Sequence, residues 1–210
     1  MTIKPFTTLT GIAAPLPEEN IDTDVIYPAR FLLITAREGL GAYAFHDRMH
    51  REDGSLIDSF VLNRAPWDEA SILVTGANFG SGSSREQAVW ALLGRGITCV
   101  IAPSFGEIFY ANCFRNGVLP IRLSPEEVQR LSDAADTGKP FTVDLPAQQI
   151  IAAGLAPVPF GIAPDRKEAL LEGWDETAIL LNNYGKDIAI FETQQAAQQP
   201  WLHDEEETVR

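Results

Sequence analysis

Between residues 71 and 123 the chain repeats one rhythm: a short apolar run, a glycine-containing turn, then apolar residues at helical spacing. Ser71-Ile-Leu-Val-Thr75 reads as a buried strand, and Gly76 to Gly82 as a glycine-rich turn. Ser84 to Leu93 predicts a helix, with Val89, Leu92 and Leu93 on one stripe and Gly94 and Gly96 to stop it. Ile97 to Ala102 is a second strand. Ser104 to Arg115 is a second helix, with Phe105, Ile108 and Phe109 on one side and Gly117 at its end. Val118 to Leu123 is a third strand. Ser124-Pro-Glu-Glu127 then carries a proline at the first helical position and a capping-box glutamate, starting a helix that runs to Gly138. Strands joined by short turns and helices imply right-handed crossovers and a largely parallel sheet from Ile72 to Leu123.

The flanks are less regular. Thr7 to Leu16 reads as a first strand and turn, and Asn20 to Leu33 as a mixed segment containing Asp22-Thr-Asp24. Residues 35 to 70 look loop-rich. Phe141 to Ile162 suggests a β-hairpin region, and Pro164 to about Ala197 suggests helices broken near Gly173 and Gly185. Residues 198 to 210, with Asp204-Glu-Glu-Glu207, read as a solvated acidic tail. The expectation is a single α/β domain over 1–197 with a helical C-terminal extension, since 210 residues suffice for one sizeable core.

Charge narrows the chemistry. Sixteen basic against 29 acidic residues give a net charge of −13, which argues against nucleic acid as the main partner. An acidic small molecule would also be repelled unless arginines and backbone N–H groups locally reversed the field. No apolar run reaches the roughly 20 residues of a membrane helix, and the first residues do not resemble a secretory signal. Cys99 and Cys113 are the only cysteines. They read as core residues rather than a disulfide framework, so a reducing, cytoplasmic setting is expected. His46, His50 and His203 lack metal-ligand spacing, and the first two read as surface loop residues.

Arginine meets glycine in Gly80-Ser-Gly-Ser-Ser-Arg85. In a strand-to-helix turn, glycines admit close approach of a ligand, and the first helical N–H groups and the helix dipole favour an anion. With the helix starting at Ser84, Arg85 would lie in its first turn and offer a planar fork to a carboxylate, beside the hydroxyls of Ser83 and Ser84. Other glycine loops do not fit. A P-loop needs Gly-Lys-Ser/Thr, a dinucleotide fingerprint needs a small residue where Arg85 stands, and a nucleophile elbow needs glycine where Glu86 stands. On spacing alone, a serine-capped turn with Arg85 and Glu86 in solvent explains the segment equally well.

Several motifs, in order, carry a resemblance. Asn78-Phe-Gly-Ser-Gly-Ser-Ser-Arg-Glu86 is followed by Ile101-Ala-Pro-Ser-Phe105, Ile108-Phe-Tyr110, Asn112 and Leu119-Pro120. Upstream stand Asn20-Ile-Asp-Thr-Asp24, Ile26, Pro28, Phe31-Leu32 and Phe60-Val-Leu-Asn63, and downstream Ala169-Leu-Leu-Glu-Gly173. This pattern resembles the small-subunit family of 3-isopropylmalate dehydratase (isopropylmalate isomerase), relatives of the swivelling C-terminal domain of aconitase. It implies a swivelling β/β/α domain and a hydro-lyase of leucine biosynthesis that removes water from a hydroxy-diacid and returns it at the neighbouring carbon. Ser83 would take the carbon-bound proton, and Ser84, Arg85 and Gly82 would hold a substrate carboxylate. A further family arginine falls on Arg37, with Arg30 a weaker fit. Asp24 would lie near the site, although a capped turn explains it equally well. The family's Lewis acid is a [4Fe-4S] cluster, which needs at least three cysteine ligands. The resemblance therefore implies that this chain holds no metal and works only with a large iron–sulfur subunit, in a heterodimer or heterotetramer.

The chain departs from the pattern in places. Gln87 replaces the usual histidine after Ser-Ser-Arg-Glu, and Ser81 replaces a frequent cysteine. Glutamine keeps hydrogen-bonding capacity but cannot relay a proton. Residues 33 to 50, which in the family include a substrate-discriminating loop, are individual to this chain. Substrates of the 2-methylmalate/citraconate, dimethylmalate or homoaconitate type therefore remain open, as does a non-catalytic anion-binding module.

Overall fold

In the computed structural model, which describes residues 3–34 and 36–202, the strand β1 (Thr8–Leu16) organises the chain by pairing differently along its two halves. Its first half, Thr8 to Ile12, runs antiparallel to β5 (Pro140–Asp144). Its second half, Ala13 to Leu16, runs parallel to β2 (Ile72–Thr75). Beyond β2 lie β3 (Cys99–Ala102) and β4 (Leu119–Arg122), both parallel. Beyond β5 lie β6 (Gln149–Ile151) and β7 (Val158–Pro159), both antiparallel. The result is one seven-stranded sheet of order β4-β3-β2-β1-β5-β6-β7. The parallel half from Ile72 to Leu123 and the hairpin region after Phe141 are thus both as expected.

Every residue of β2 and β3 is buried, as expected for parallel strands covered on both faces. Their side chains alternate between two cores. Leu73, Val100 and Ala102 face one cluster, which takes Ala88, Val89 and Leu92 of α3 (Gln87–Gly94) and Phe109 and Cys113 of α4 (Glu107–Arg115). Ile72, Val74, Cys99 and Ile101 face the other, which takes Val128, Leu131 and Ala135 of α5 (Pro125–Ala135) and Leu170 of α6 (Pro164–Glu172). Two short helices, α1 (Thr23–Ile26) and α2 (His46–Met49), lie within the loop-rich stretch after β1, among single turns of 3-10 helix. A last helix, α7 (Glu176–Gln198), follows α6.

Several boundaries differ from expectation. The helix expected from Ser84 starts at Gln87, and the one expected from Ser104 starts at Glu107, because both preceding segments are held outside the helix by the contacts described below. Ile108 points outward at 53% exposure, so α4 buries Phe109 and Cys113 instead. The capping box at Ser124 and Glu127 forms as read, but its helix ends at Ala135, three residues short of Gly138. Gly173 terminates α6 in a left-handed conformation. Gly185 does not interrupt α7, since a lone glycine costs a helix only about 1 kcal/mol. His46 and His50 are partly buried with rings stacked at 4.6 Å, not surface loop residues. Of the expected tail, Gln198 belongs to α7 and Pro200–Leu202 form a 3-10 turn, while His203 and the acidic run lie outside the described residues.

The loop-rich stretch docks on α3 by direct backbone contact at Gly41 and Gly94. A Cβ on Gly41 would meet the Gly94 carbonyl carbon at 2.2 Å. Gly41→Ala should therefore destabilise the protein by about 1–3 kcal/mol, read as a lower urea midpoint. Gly161→Ala, which meets nothing within 4 Å, should leave the midpoint within error of wild type.

Candidate active site

In open parallel sheets, ligands bind beyond the carboxyl ends of the strands. Here the segments leaving β1, β2 and β3 converge at that edge and knit together through the backbone. The Asn20 N–H donates to the Ala77 carbonyl at 2.8 Å, the Gly80 N–H to Ile21 at 2.7 Å and the Thr23 N–H to Ser81 at 2.9 Å. On the other side the Phe79 N–H donates to Ser104 at 3.1 Å and the Gly106 N–H to Phe79 at 2.9 Å. The glycine-rich turn is thus held between two neighbouring loops. This pairing keeps Ser104 and Phe105 extended and delays the start of α4.

Local conformation explains the residue choices. Asn20 and Asn78 both adopt the left-handed region, which asparagine tolerates, and their side-chain amides bond each other at 2.8 Å. Gly80, at φ +72, lies over the Phe109 ring, where a Cβ would stand 2.2 Å from Cγ. A Cβ on Gly106 would stand 2.6 Å from the Gly80 carbonyl oxygen. Phe79 fills the core beneath, edge-on to Phe105 and Phe109.

Ser83, Ser84 and Arg85 follow in irregular chain, ahead of the helix rather than in its first turn. Ser83 is half-buried and Ser84 exposed. Two contacts hold this segment. The buried Asn112 amide reaches the Ser84 carbonyl at 3.3 Å, and the Arg85 guanidinium pairs with the Asp24 carboxylate. Asp24 itself is placed by α1, whose N-cap Asp22 accepts from the Val25 N–H at 2.8 Å. The Asp24 carboxylate is half exposed while most of the Arg85 side chain is buried, so the pair contributes on the order of 1 kcal/mol of stability and holds the guanidinium in place. Gly82, at φ +95, faces Asp22, with a would-be Cβ 3.3 Å from the Asp22 Cβ.

The structure thus brings Gly82, Ser83, Ser84, Arg85 and Asp24 together. Arg30 is engaged elsewhere: it bonds both carboxylate oxygens of Asp47 and covers the Phe31 ring at 4.5 Å, and the Asp47 hydrogen bond raises its pKa. Arg37 lies 4.0 Å over the Trp90 ring. It lines a cleft of about 990 Å³ together with Glu86, Trp90 and Asn116. Glu86 is the junction, lining that cleft and directly following Arg85.

Sequence reasoning missed the anchoring role of Asn112 and Asn116. Asparagine is a poor helix residue, and two of them four apart place amides on one face, which was the available signal.

The donor set does not suit an iron–sulfur cluster. Both cysteines are free and fully buried, and burial pushes both thiols well above their ordinary pKa, away from the thiolate a cluster requires. Among the described residues, no group of three or more histidine, cysteine or acidic side chains could hold a metal ion.

The sheet, its crossovers and the loop at its carboxyl edge define the class. Residues 3–126 match the family model of the aconitase C-terminal domain. The small subunit of 3-isopropylmalate dehydratase from Gluconacetobacter diazotrophicus is 52% identical over 198 residues, covering 93% of this chain and 95% of its own. That of Rhodospirillum rubrum is 51% identical over 199 residues, covering 94% and 96%. The crystal structure of 3-isopropylmalate dehydratase from Methanocaldococcus jannaschii superposes with a TM-score of 0.62 at 27% identity, covering 90% of this chain and 99% of that one. The chain belongs to the 3-isopropylmalate dehydratase small-subunit family.

Because Gly80 combines positive φ with contact to an aromatic ring, Gly80→Ala should lower stability by more than about 2 kcal/mol in thermal denaturation. Gly154→Ala, also at positive φ but facing open space, isolates the conformational part and should cost about 1 kcal/mol.

Proposed function

We propose that this chain is the small subunit of an isopropylmalate isomerase, a hydro-lyase that interconverts 2- and 3-isopropylmalate by dehydration and rehydration in leucine biosynthesis. The observation that supports it most is the Ser83-Ser84-Arg85 segment, held at the carboxyl edge of the sheet by Asp24 and Asn112 within a chain about half identical to such subunits.

In this reading one swivelling domain, residues 1 to 197, carries the loop. Ser83 Oγ takes the proton from the substrate carbon next to the one bearing the hydroxyl. The electron pair forms the double bond as the hydroxyl leaves, and water returns in the opposite sense, with Ser83 giving its proton back. A serine is a weak base unless its alkoxide is stabilised by donors nearby. Loop amides together with Arg85 supply that field. Ser84, Arg85 and Gly82 receive a carboxylate, and Arg37, on the cleft that Glu86 also lines, binds the second. Arg85 rests on Asp24 beforehand, so a substrate carboxylate competes for or shares its fork, and Asp24 keeps that fork in register. Arg30, committed to Asp47, is the weaker candidate for contact with substrate.

Departure of the hydroxyl requires a Lewis acid that this chain's side chains are unsuited to hold. A [4Fe-4S] cluster on a large partner subunit would supply it, in a heterodimer or heterotetramer in the cytoplasm. The active site is then shared, with this chain contributing the proton-transfer and carboxylate half.

Reconstituted with its large subunit, the Ser83→Ala variant should lose about 10²–10⁴-fold in kcat with little change in KM, while still assembling. Arg85→Lys should instead raise KM at least about tenfold, because the bidentate fork is lost. Near-normal turnover by Ser83→Ala removes it as the base. Turnover of 2-methylmalate or homoaconitate in preference to isopropylmalate would reassign the substrate, and no hydration of any unsaturated diacid would leave an anion-binding module.

A further inference from the structure

Beneath the loop runs a chain of polar contacts that links two segments distant in sequence. Its centre is Asn116, at the C-terminal cap of α4. The Asn116 Nδ2 donates to the Glu86 carboxylate at 2.7 Å and to the Asn112 carbonyl at 2.8 Å. Its Oδ1 accepts from the Trp90 indole N–H at 2.9 Å. One carboxamide thus uses both donors and its acceptor in fixed directions, a combination that no other side chain of this size offers. Asp would face the Glu86 carboxylate with like charge, and Ala would leave the indole N–H and one carboxylate oxygen without these partners.

The contacts end at groups with proposed chemistry. Glu86 directly follows Arg85, and one helical turn earlier on α4, Asn112 holds the Ser84 carbonyl at 3.3 Å. The two amides, four residues apart on one helix face, therefore hold the neighbours of Arg85 on either side, Asn112 by the Ser84 carbonyl and Asn116 by the Glu86 carboxylate. In the other direction, Trp90 presents its ring to the Arg37 guanidinium at 4.0 Å. An indole fixed by its N–H cannot turn without breaking that bond, so the face that Arg37 covers keeps its orientation.

We propose that Asn116 is a positioning residue for the isomerase reaction. It sets the Ser83–Arg85 segment through Glu86 and sets Arg37 through Trp90, so that the two carboxylate-binding arginines keep a fixed separation. This rests on the functional reading above. It goes further in assigning a role to residues that touch neither substrate nor cofactor, and it makes one amide a shared support of the segments that carry the two arginines.

The test uses the reconstituted two-subunit enzyme and compares Asn116→Ala, Trp90→Phe and the double variant. Trp90→Phe keeps an aromatic face under Arg37 but removes the indole donor. Asn116→Ala should lower kcat about 10–100-fold, since a misplacement on the order of 1 Å costs that much, and should raise KM several-fold. Trp90→Phe should raise KM with a smaller effect on kcat, because it disturbs only the Arg37 branch. The double variant should fall close to Asn116→Ala alone, since both remove the same bond. A purely structural staple would lower Tm in both single variants yet leave kcat and KM of the assembled enzyme at wild-type values, and that result overturns the proposal. So does simple additivity of the two substitutions. If Asn116→Ala does not assemble, Trp90→Phe alone decides, with unchanged KM overturning the claim. The bond itself is read in the free chain, where Asn116→Ala should shift the Trp90 indole N–H resonance, one of four such signals. That shift is independent of turnover. An active Ser83→Ala enzyme would therefore sink the assignment of the base while leaving the positioning claim to be judged on KM.

Discussion

The glycine-rich turn after β2 has no regular partner of its own, and three backbone hydrogen bonds from the Asn20–Thr23 region hold it in place. Asn20, Gly80 and Thr23 supply the donors, all at 2.7–2.9 Å, and their bonds join the loop leaving β1 to the loop leaving β2. Buried backbone groups must be paired somewhere, and here the pairing is made between two loops instead of within a sheet. The arrangement of Ser83, Arg85 and Asp24 depends on it. Without that docking, Asp24 has no reason to face Arg85, and the segment before α3 has no reason to stay outside the helix.

Much of this was legible in the chain. Buried apolar runs alternating with helical stripes gave the parallel half of the sheet, and Ser124 to Glu127 gave a capping box that forms as read. The glycine loop and its arginine were visible as a candidate anion site. The start of the following helix was not. Local propensity cannot register that Asp24, 61 positions away, holds Arg85, or that Asn112, 28 positions away, holds the Ser84 carbonyl. Tertiary contacts at long separation therefore override the helix signal at Ser84 to Glu86. The same applies to Ser104 and Phe105, which pair with Phe79. In α7 the error ran the other way: Gly185 looked like a break, but a single glycine is a small penalty within 23 residues.

The local electrostatics agree with a half-site. A chain of net charge −13 presents Arg85 already paired with Asp24. In the proposed reaction, a dianion would need a second arginine and whatever faces the loop in the assembled enzyme. The preorganised parts are geometric: a fixed turn, a fixed guanidinium and an aromatic platform for Arg37. Fixed geometry of this kind reduces the reorganisation needed when charge develops during reaction.

The backbone bonds of the loop lie wholly within this chain, so the loop is built before any partner arrives. Amide hydrogen exchange on the isolated chain tests it directly at Gly80 and Thr23, the donors to Ile21 and Ser81. The account predicts strong protection of both amides in the free chain, near that of the β2 and β3 core, and little further gain with the large subunit. Exchange of these two amides at unstructured rates in the free chain, with protection appearing only in the complex, would contradict it.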